Sequence, residues 1–237
     1  MFKKINLFCL PYAGASSMGI YYKWNDMIDP LINVIPLELP GRGERISEPL
    51  ISSMEELVDY LYDEFYNYLV EMNDNEDYAF IGHSMGTTII YELIRRIQDS
   101  NLKNPIHVFF SGRYPPNFPE PKNIHNLSDT EFKNEIISYG GVPKELIDND
   151  ILLDFFIPQL KTDYTAIENY KYTPTKKWTF NISIFYGSLD SDIHLFDYKN
   201  WINFTNKKCH FYSFNEDHFF INTRSNEIIN IIQNTLL

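Results

Sequence analysis

Tyr78-Ala79-Phe80-Ile81-Gly82-His83-Ser84-Met85-Gly86-Thr87-Thr88-Ile89-Ile90 joins an apolar run, a serine flanked by glycines, and the start of a second apolar pattern. Tyr78–Ile81 reads as a buried strand. Ile89, Ile90, Leu93, Ile94 and Ile97 fall at helical spacing over Thr87–Ile97. A G-x-S-x-G pentapeptide between a strand and a helix forms a tight turn that strains the serine backbone and projects its hydroxyl clear of the sheet. The same pentapeptide without these flanks is only a glycine-rich turn. With them, Ser84 is a candidate nucleophile, and the N-terminus of the following helix favours negative charge beside its oxygen.

Outward from this stretch, β-rich runs alternate with helical ones. Ile5–Leu10, Asn33–Leu39, Tyr78–Ile81, His107–Ser111, Ile182–Tyr186 and His210–Phe214 read as strands. Met54–Leu69 and Asn226–Leu236 read as further helices. The alternation predicts an α/β fold with a mostly parallel central sheet flanked by helices. The stretch from about 114 to 177 breaks the pattern. It has no convincing strand, a proline-rich entry (Pro115, Pro116, Pro119, Pro121), and helical patterns at Asp129–Tyr139, Lys144–Leu160 and Asp163–Tyr170. About sixty residues is long for one crossover. A helical lid above the carboxyl ends of the strands, where ligands bind in open α/β sheets, is the expected reading.

A serine hydroxyl needs a base to become a good nucleophile near neutral pH, and around a G-x-S-x-G elbow the partners follow in the chain order Ser, Asp/Glu, His. Of six histidines, His194, His210 and His218 come late enough. His210 lies within a strand pattern, whereas His218 follows the last strand in Glu216-Asp217-His218-Phe219-Phe220 and is the expected base, with His194 as the alternative. His83, beside the serine, is expected to shape the pocket. The acid should follow the preceding strand, where Gly187-Ser188-Leu189-Asp190-Ser191-Asp192 offers Asp190 first and Asp192 second. Either would hold the histidine tautomer and stabilise an imidazolium. An oxyanion hole needs two amides. Met85 supplies one, and the loop Leu10-Pro11-Tyr12-Ala13-Gly14-Ala15-Ser16 the other, from Ala13, with Tyr12 as the alternative.

The 237 residues fit one domain, and 44% hydrophobic with 22% charged residues is ordinary for a globular protein. No apolar run approaches a membrane span of ~20 residues. The start, Met1-Phe2-Lys3-Lys4-Ile5-Asn6, lacks a signal-peptide pattern, so a cytoplasmic location is expected. Cys9 and Cys209 each sit in strand-like apolar segments and read as structural, with too few ligands nearby for a metal site. A net charge of −12 argues against nucleic-acid and anionic membrane partners. An acidic partner would have to be met through a local basic or apolar patch.

Taken together, Leu10-Pro11-Tyr12-Ala13-Gly14, Leu39-Pro40-Gly41-Arg42-Gly43-Glu44-Arg45 and Gly82-His83-Ser84-Met85-Gly86 resemble the type II (external, editing) thioesterases that accompany nonribosomal peptide and polyketide synthases. So do Leu127-Ser128-Asp129, Tyr139-Gly140-Gly141-Val142-Pro143, Leu160-Lys161-Thr162-Asp163-Tyr164, Phe185-Tyr186-Gly187 through Asp190, and Asp217-His218-Phe219-Phe220. The resemblance runs in order along nearly the whole chain. It implies an α/β-hydrolase with a mobile helical lid, no cofactor, and a triad of Ser84, Asp190 and His218. It also implies acyl or aminoacyl thioester substrates carried on the phosphopantetheine arm of carrier proteins. A monomer is expected. A small-molecule carboxylesterase or lipase would use the same triad, and a non-catalytic hydrolase-fold protein would not need one.

Overall fold

A computed structural model describes residues 3–100, 102–140 and 147–237. Six strands form one sheet: β1 (Lys4–Leu10), β2 (Ile32–Pro36), β3 (Glu76–His83), β4 (His107–Ser111), β5 (Asn181–Gly187) and β6 (Cys209–Phe214). Their order is β2-β1-β3-β4-β5-β6, and every neighbouring pair is parallel. The helices are α1 (Ser17–Tyr21), α2 (Met54–Glu71), α3 (Met85–Asp99), α4 (Asp129–Ser138), α5 (Asp150–Glu168), α6 (Phe220–Thr223) and α7 (Ser225–Leu236).

Strand side chains alternate between two cores. Phe8, Leu10, Phe80, Val108 and Phe110 pack with Leu57, Leu61 and Phe65 of α2 and Ile89 and Leu93 of α3. Leu7, Cys9, Ala79, Ile81 and Phe109 pack on the other face with Tyr21, Ile228, Ile229 and Ile232. Covered on both faces, β1, β3 and β4 read in sequence as nearly unbroken apolar runs. Both cysteines are free, and burial raises both thiol pKa values, that of Cys209 to about 12.

The strand order reverses beside β1. The chain leaves β1 for β2 on one side and returns to β3 on the other, so the loops after β1 and β3 flank a topological switch point. The expected fold class is the one observed.

Two elements differ from the sequence reading. β2 ends at Pro36 rather than Leu39. Beyond it Leu37 N–H still donates to Cys9 C=O, but the buried Glu38 carboxylate turns to accept from Ser16 Oγ and Ser17 N–H at the start of α1. The helical patterns at Lys144–Leu160 and Asp163–Tyr170 share one helix, α5, which runs from Asp150 to Glu168 without a break and begins after an extended Asn149; residues 144–146 lie outside the described residues. Leu153, Ile157, Leu160, Asp163 and Ile167 keep one buried stripe through the expected break. Pro158 sits on the exposed side of this helix.

Between β4 and β5 no strand occurs among the described residues, and α4 and α5 enclose a small core of their own, with Phe132 and Ile136 against Leu153, Ile157 and Leu160. A capping box between Ser128 and Glu131 starts α4.

Candidate active site

Ser84 sits where β3 gives way to α3, with φ 52 and ψ −113; it has the only positive φ of a non-glycine among the described residues. Its N–H donates to Ser111 C=O at 2.8 Å, which extends the β3–β4 ladder into the turn and pins the strained residue. A serine before a helix ordinarily caps it with its hydroxyl. Here no side-chain cap bond forms, and Ser84 lines a cavity.

Gly86 decides what stands beside Ser84. A Cβ there would lie 2.5 Å from Leu10 C=O and 2.9 Å from Pro11 C=O, so α3 can start only with glycine at this contact. The loop after β1 is thereby pressed against the first turn of α3. Met85 N–H, at the start of α3, has no intrahelical acceptor by position. In the facing loop Gly14 N–H donates to Asp163 and Ala15 N–H to Tyr12 C=O. Of the amides expected to face an oxyanion, those of Ala13 and Tyr12 are left.

The expected acid and base, Asp190 and His218, stand just past β5 and β6. Gly187, at the end of β5, allows the same close approach as Gly86: a Cβ would lie 2.3 Å from Asp217 C=O. The turn carrying Asp190 thus packs onto the turn carrying His218. His218 Nδ1 lies 2.7 Å from Asp190 Oδ2. A carboxylate can only accept, so Nδ1 carries the proton and Nε2 is the basic nitrogen. Asp192 does not compete for the histidine; its N–H donates to Asp190 Oδ1 at 2.9 Å. Burial alone would raise the Asp190 pKa, but the hydrogen bond and charge of His218, with the Asp192 amide, hold it below the usual carboxylate value. His210 is exposed on β6, and the side chain of His194 lies outside the described parts of the structure.

His83 supports this pair from below. It is fully buried, and burial, then the nearby His218, pushes its pKa well down. Neutral His83 donates from Nε2 to His218 C=O at 2.9 Å, and its Nδ1 accepts from Ser111 Oγ at 2.8 Å. Its adjacency to the serine in sequence gave no sign of this contact 135 residues away. Tyr12 packs edge-on to both His83 and Phe219, so the loop after β1 leans on the turn that carries His218.

The thioesterase-domain family model matches residues 5–236. The chain belongs to that family. The protein is a hydrolase of thioester bonds, and its relatives include type II thioesterases of nonribosomal peptide and polyketide pathways. It is 32% identical over 237 residues to LgrE of Brevibacillus parabrevis, covering 98% of this chain and 88% of that protein. ClbQ from the colibactin nonribosomal peptide/polyketide pathway superposes with TM-score 0.87 at 33% identity over 98% of this chain and 97% of that one. The type II thioesterase BorB from the borrelidin cluster does so with TM-score 0.87 at 26% identity over 99% and 93%. LgrE bears the name linear gramicidin dehydrogenase, which describes LgrE. In this thioesterase neither β1 nor β3 is followed by the G-x-G-x-x-G of a dinucleotide fold.

Two cavities flank the loop after β1 in the thioesterase. One, of about 210 Å³, is lined by Ala13, Ser84, Asp190 and His218 below and by Arg113 and Tyr139 above. The other, of about 290 Å³, is mainly apolar, with Ile20, Ile136, Phe156, Leu160 and Phe219 in its wall. Tyr12, Ala13, Tyr139, Tyr164 and Phe219 line both. Tyr139 and Tyr164 of the insertion thus line both cavities.

Proposed function

We propose that Ser84, His218 and Asp190 are the catalytic triad of a type II thioesterase acting on acyl and aminoacyl groups held on the phosphopantetheine arm of carrier proteins. The observation that carries this reading is the His218–Asp190 bond in the cavity that also receives the strained Ser84. Ser84 Oγ attacks the thioester carbonyl carbon while His218 Nε2 takes its proton. The Met85 and Ala13 amides hold the oxyanion. The carbon–sulfur bond breaks, the thiol leaves with the proton from His218, and acyl-Ser84 remains. A water that gives its proton to His218 then attacks the ester. The acid departs, and Ser84 regains its proton. A thiol, with a pKa near 8.5, leaves far more readily than an amine, so less is asked of proton delivery. Asp190 keeps the imidazole in the productive tautomer and stabilises its charged form.

The reaction as proposed uses side chains, amides and water, with no cofactor of the enzyme's own; the phosphopantetheine belongs to the substrate. The apolar cavity beside the oxyanion loop offers room for an acyl chain. The role is to clear or regenerate carrier arms of a nonribosomal peptide or polyketide assembly line. A cytoplasmic monomer goes with this reading, and no helix among the described residues is long and apolar enough to cross a membrane. The test is mass spectrometry of carrier proteins loaded with different acyl and aminoacyl groups, before and after exposure to the enzyme. Mass loss to the free thiol on carriers is the expected result. Faster turnover of simple oxygen esters, with carriers left intact, would assign the site to a small-molecule esterase.

A further inference from the structure

Gly14, Arg42 and Asp163 stand in three separate sequence motifs, and none of them has a part in the reaction just described. They meet at one buried point. Asp163 is 1% exposed and Arg42 3% exposed. Arg42 grips the carboxylate with both ends of its fork, Nη1 to Oδ2 at 2.6 Å and Nη2 to Oδ1 at 2.8 Å. Asp163 Oδ2 also accepts the Gly14 N–H at 2.7 Å. One helical turn earlier on α5, Gln159 Nε2 donates to Gly14 C=O at 2.7 Å. Both polar groups of Gly14 are thus held by α5, and the next peptide upstream carries the Ala13 amide.

We infer that Asp163, Arg42 and Gln159 are positioning residues that set the oxyanion amide of Ala13 through Gly14. Other anchors hold the two ends of the loop, Leu10 and Pro11 against Gly86, Tyr12 on His83 and Phe219, and Ser16 on Glu38, whereas α5 holds the Gly14 peptide between them. An oxyanion hole works only when its donors stand ready at the place the charge develops, so a tenth of an ångström of loop freedom matters more to the transition state than to the bound thioester. Arg42 is needed because a carboxylate this deeply buried, facing only an amide, would be left uncompensated. The latch also divides the insertion: the half of α5 containing Gln159 and Asp163 is part of the oxyanion machinery, and any motion of the roof must pivot on it.

The inference rests on the proposed roles of Ser84 and Ala13, and the experiment keeps the two apart. Asp163→Asn, Arg42→Lys and Gln159→Ala are compared with wild type and Ser84→Ala on a soluble acyl-N-acetylcysteamine thioester. Thermal melting checks the fold. Binding of a trifluoromethyl ketone analogue, whose hemiketal oxyanion occupies the hole, is measured beside binding of an uncleavable thioether analogue. The expected result for Asp163→Asn is a fall in kcat on the order of 10- to 100-fold, a part of what losing a whole oxyanion donor costs, with KM changed less than about twofold. Ketone affinity should fall by the same factor and thioether affinity should hold. Gln159→Ala, whose half-buried side chain can be lost without opening the ion pair, should show the same pattern at smaller size and decides the matter if Asp163→Asn does not fold. Folded variants with wild-type kcat, or with raised KM and unchanged kcat, overturn the latch. Activity surviving in Ser84→Ala would instead overturn the nucleophile assignment beneath it.

Discussion

β3 is buried from Tyr78 through His83, whereas α4, ten residues long, buries only Phe132 and Ile136. The strand lies between two strands and two helix layers, while α4 packs with α5 and with Ile124 and Leu127 in a small separate core. The difference separates two tasks. The proposed triad stands on the sheet's carboxyl edge, and the walls that would admit the proposed acyl-bearing arm stand partly on this smaller layer. α5 belongs to both: its N-terminal part packs with α4, and Gln159 and Asp163 tie its C-terminal half to the loop after β1.

The sharpest way to break this division is Ser84→Ala, which should lower kcat by about 10⁵–10⁶, the scale on which a serine nucleophile acts as one unit with its base. More than a few per cent of residual turnover in pure, folded protein would remove the sheet edge from the chemistry. Next, Asp190→Asn should cost on the order of 10⁴ by permitting the wrong histidine tautomer. Asp192→Asn should cost far less, because Asp192 contributes its backbone amide to the pair. A reversed ranking would move the acid two residues along the chain.

Hydrogen exchange sharpens the comparison inside the roof. Amides of α4 should exchange well before those of β3, and α5 from Gln159 to Glu168 should be slower than α4. A bound acyl carrier should slow α4 further. Protection of α4 equal to that of β3 would make the whole insertion a fixed wall. A disulfide pinning α4 should reduce turnover of carrier-bound substrates more than that of a small thioester, and equal losses would place recognition elsewhere.

The smallest effect is on stability. Burial depresses the pKa values of His83 and His107, that of His107 to about 4, while in the unfolded chain both sit near ~6.5. Between those values the unfolded state binds more protons, so stability falls as pH drops from 7 toward 5, by up to about 1.4 kcal/mol per pH unit for each histidine. The lowered Asp190 pKa acts elsewhere: its contribution is present above the ordinary carboxylate range and is lost only as pH falls through its folded value. Urea denaturation at pH 7 and 5 should show the decline, flattened by up to one proton in His107→Gln. An unchanged slope in that variant would mean that His107 is charged in the folded state.

The strained turn at Ser84, the meeting of Asp190 with His218 and the parallel sheet were legible because each is written locally. Tyr78–Gly86 is contiguous, and Asp190 and His218 each stand just past a strand end. The second set of contacts was not, because its partners are far apart in the chain. Arg42 and Asp163 are 121 residues apart, and each reads alone as a surface charge. Leu37-Glu38-Leu39 looked like strand alternation because nothing local shows that the Glu38 carboxylate is buried against Ser16 and Ser17. The break expected inside α5 came from dividing a charged stretch, Lys161-Thr162-Asp163, whose aspartate in fact belongs to the buried stripe.

β6 is an edge strand whose single sheet neighbour is β5, and His218 hangs from its end. Ser84, by contrast, stands at the end of β3, in the middle of the sheet. Fraying at that border would carry away the proposed base while leaving the Ser84 turn and the proposed oxyanion amides assembled. Mild denaturant or warmth should therefore silence the enzyme before the tryptophan signals of Trp178 and Trp201, buried in the main core, report any unfolding. Survival of activity in storage is then governed by the seam between β5 and β6 rather than by the global melting temperature.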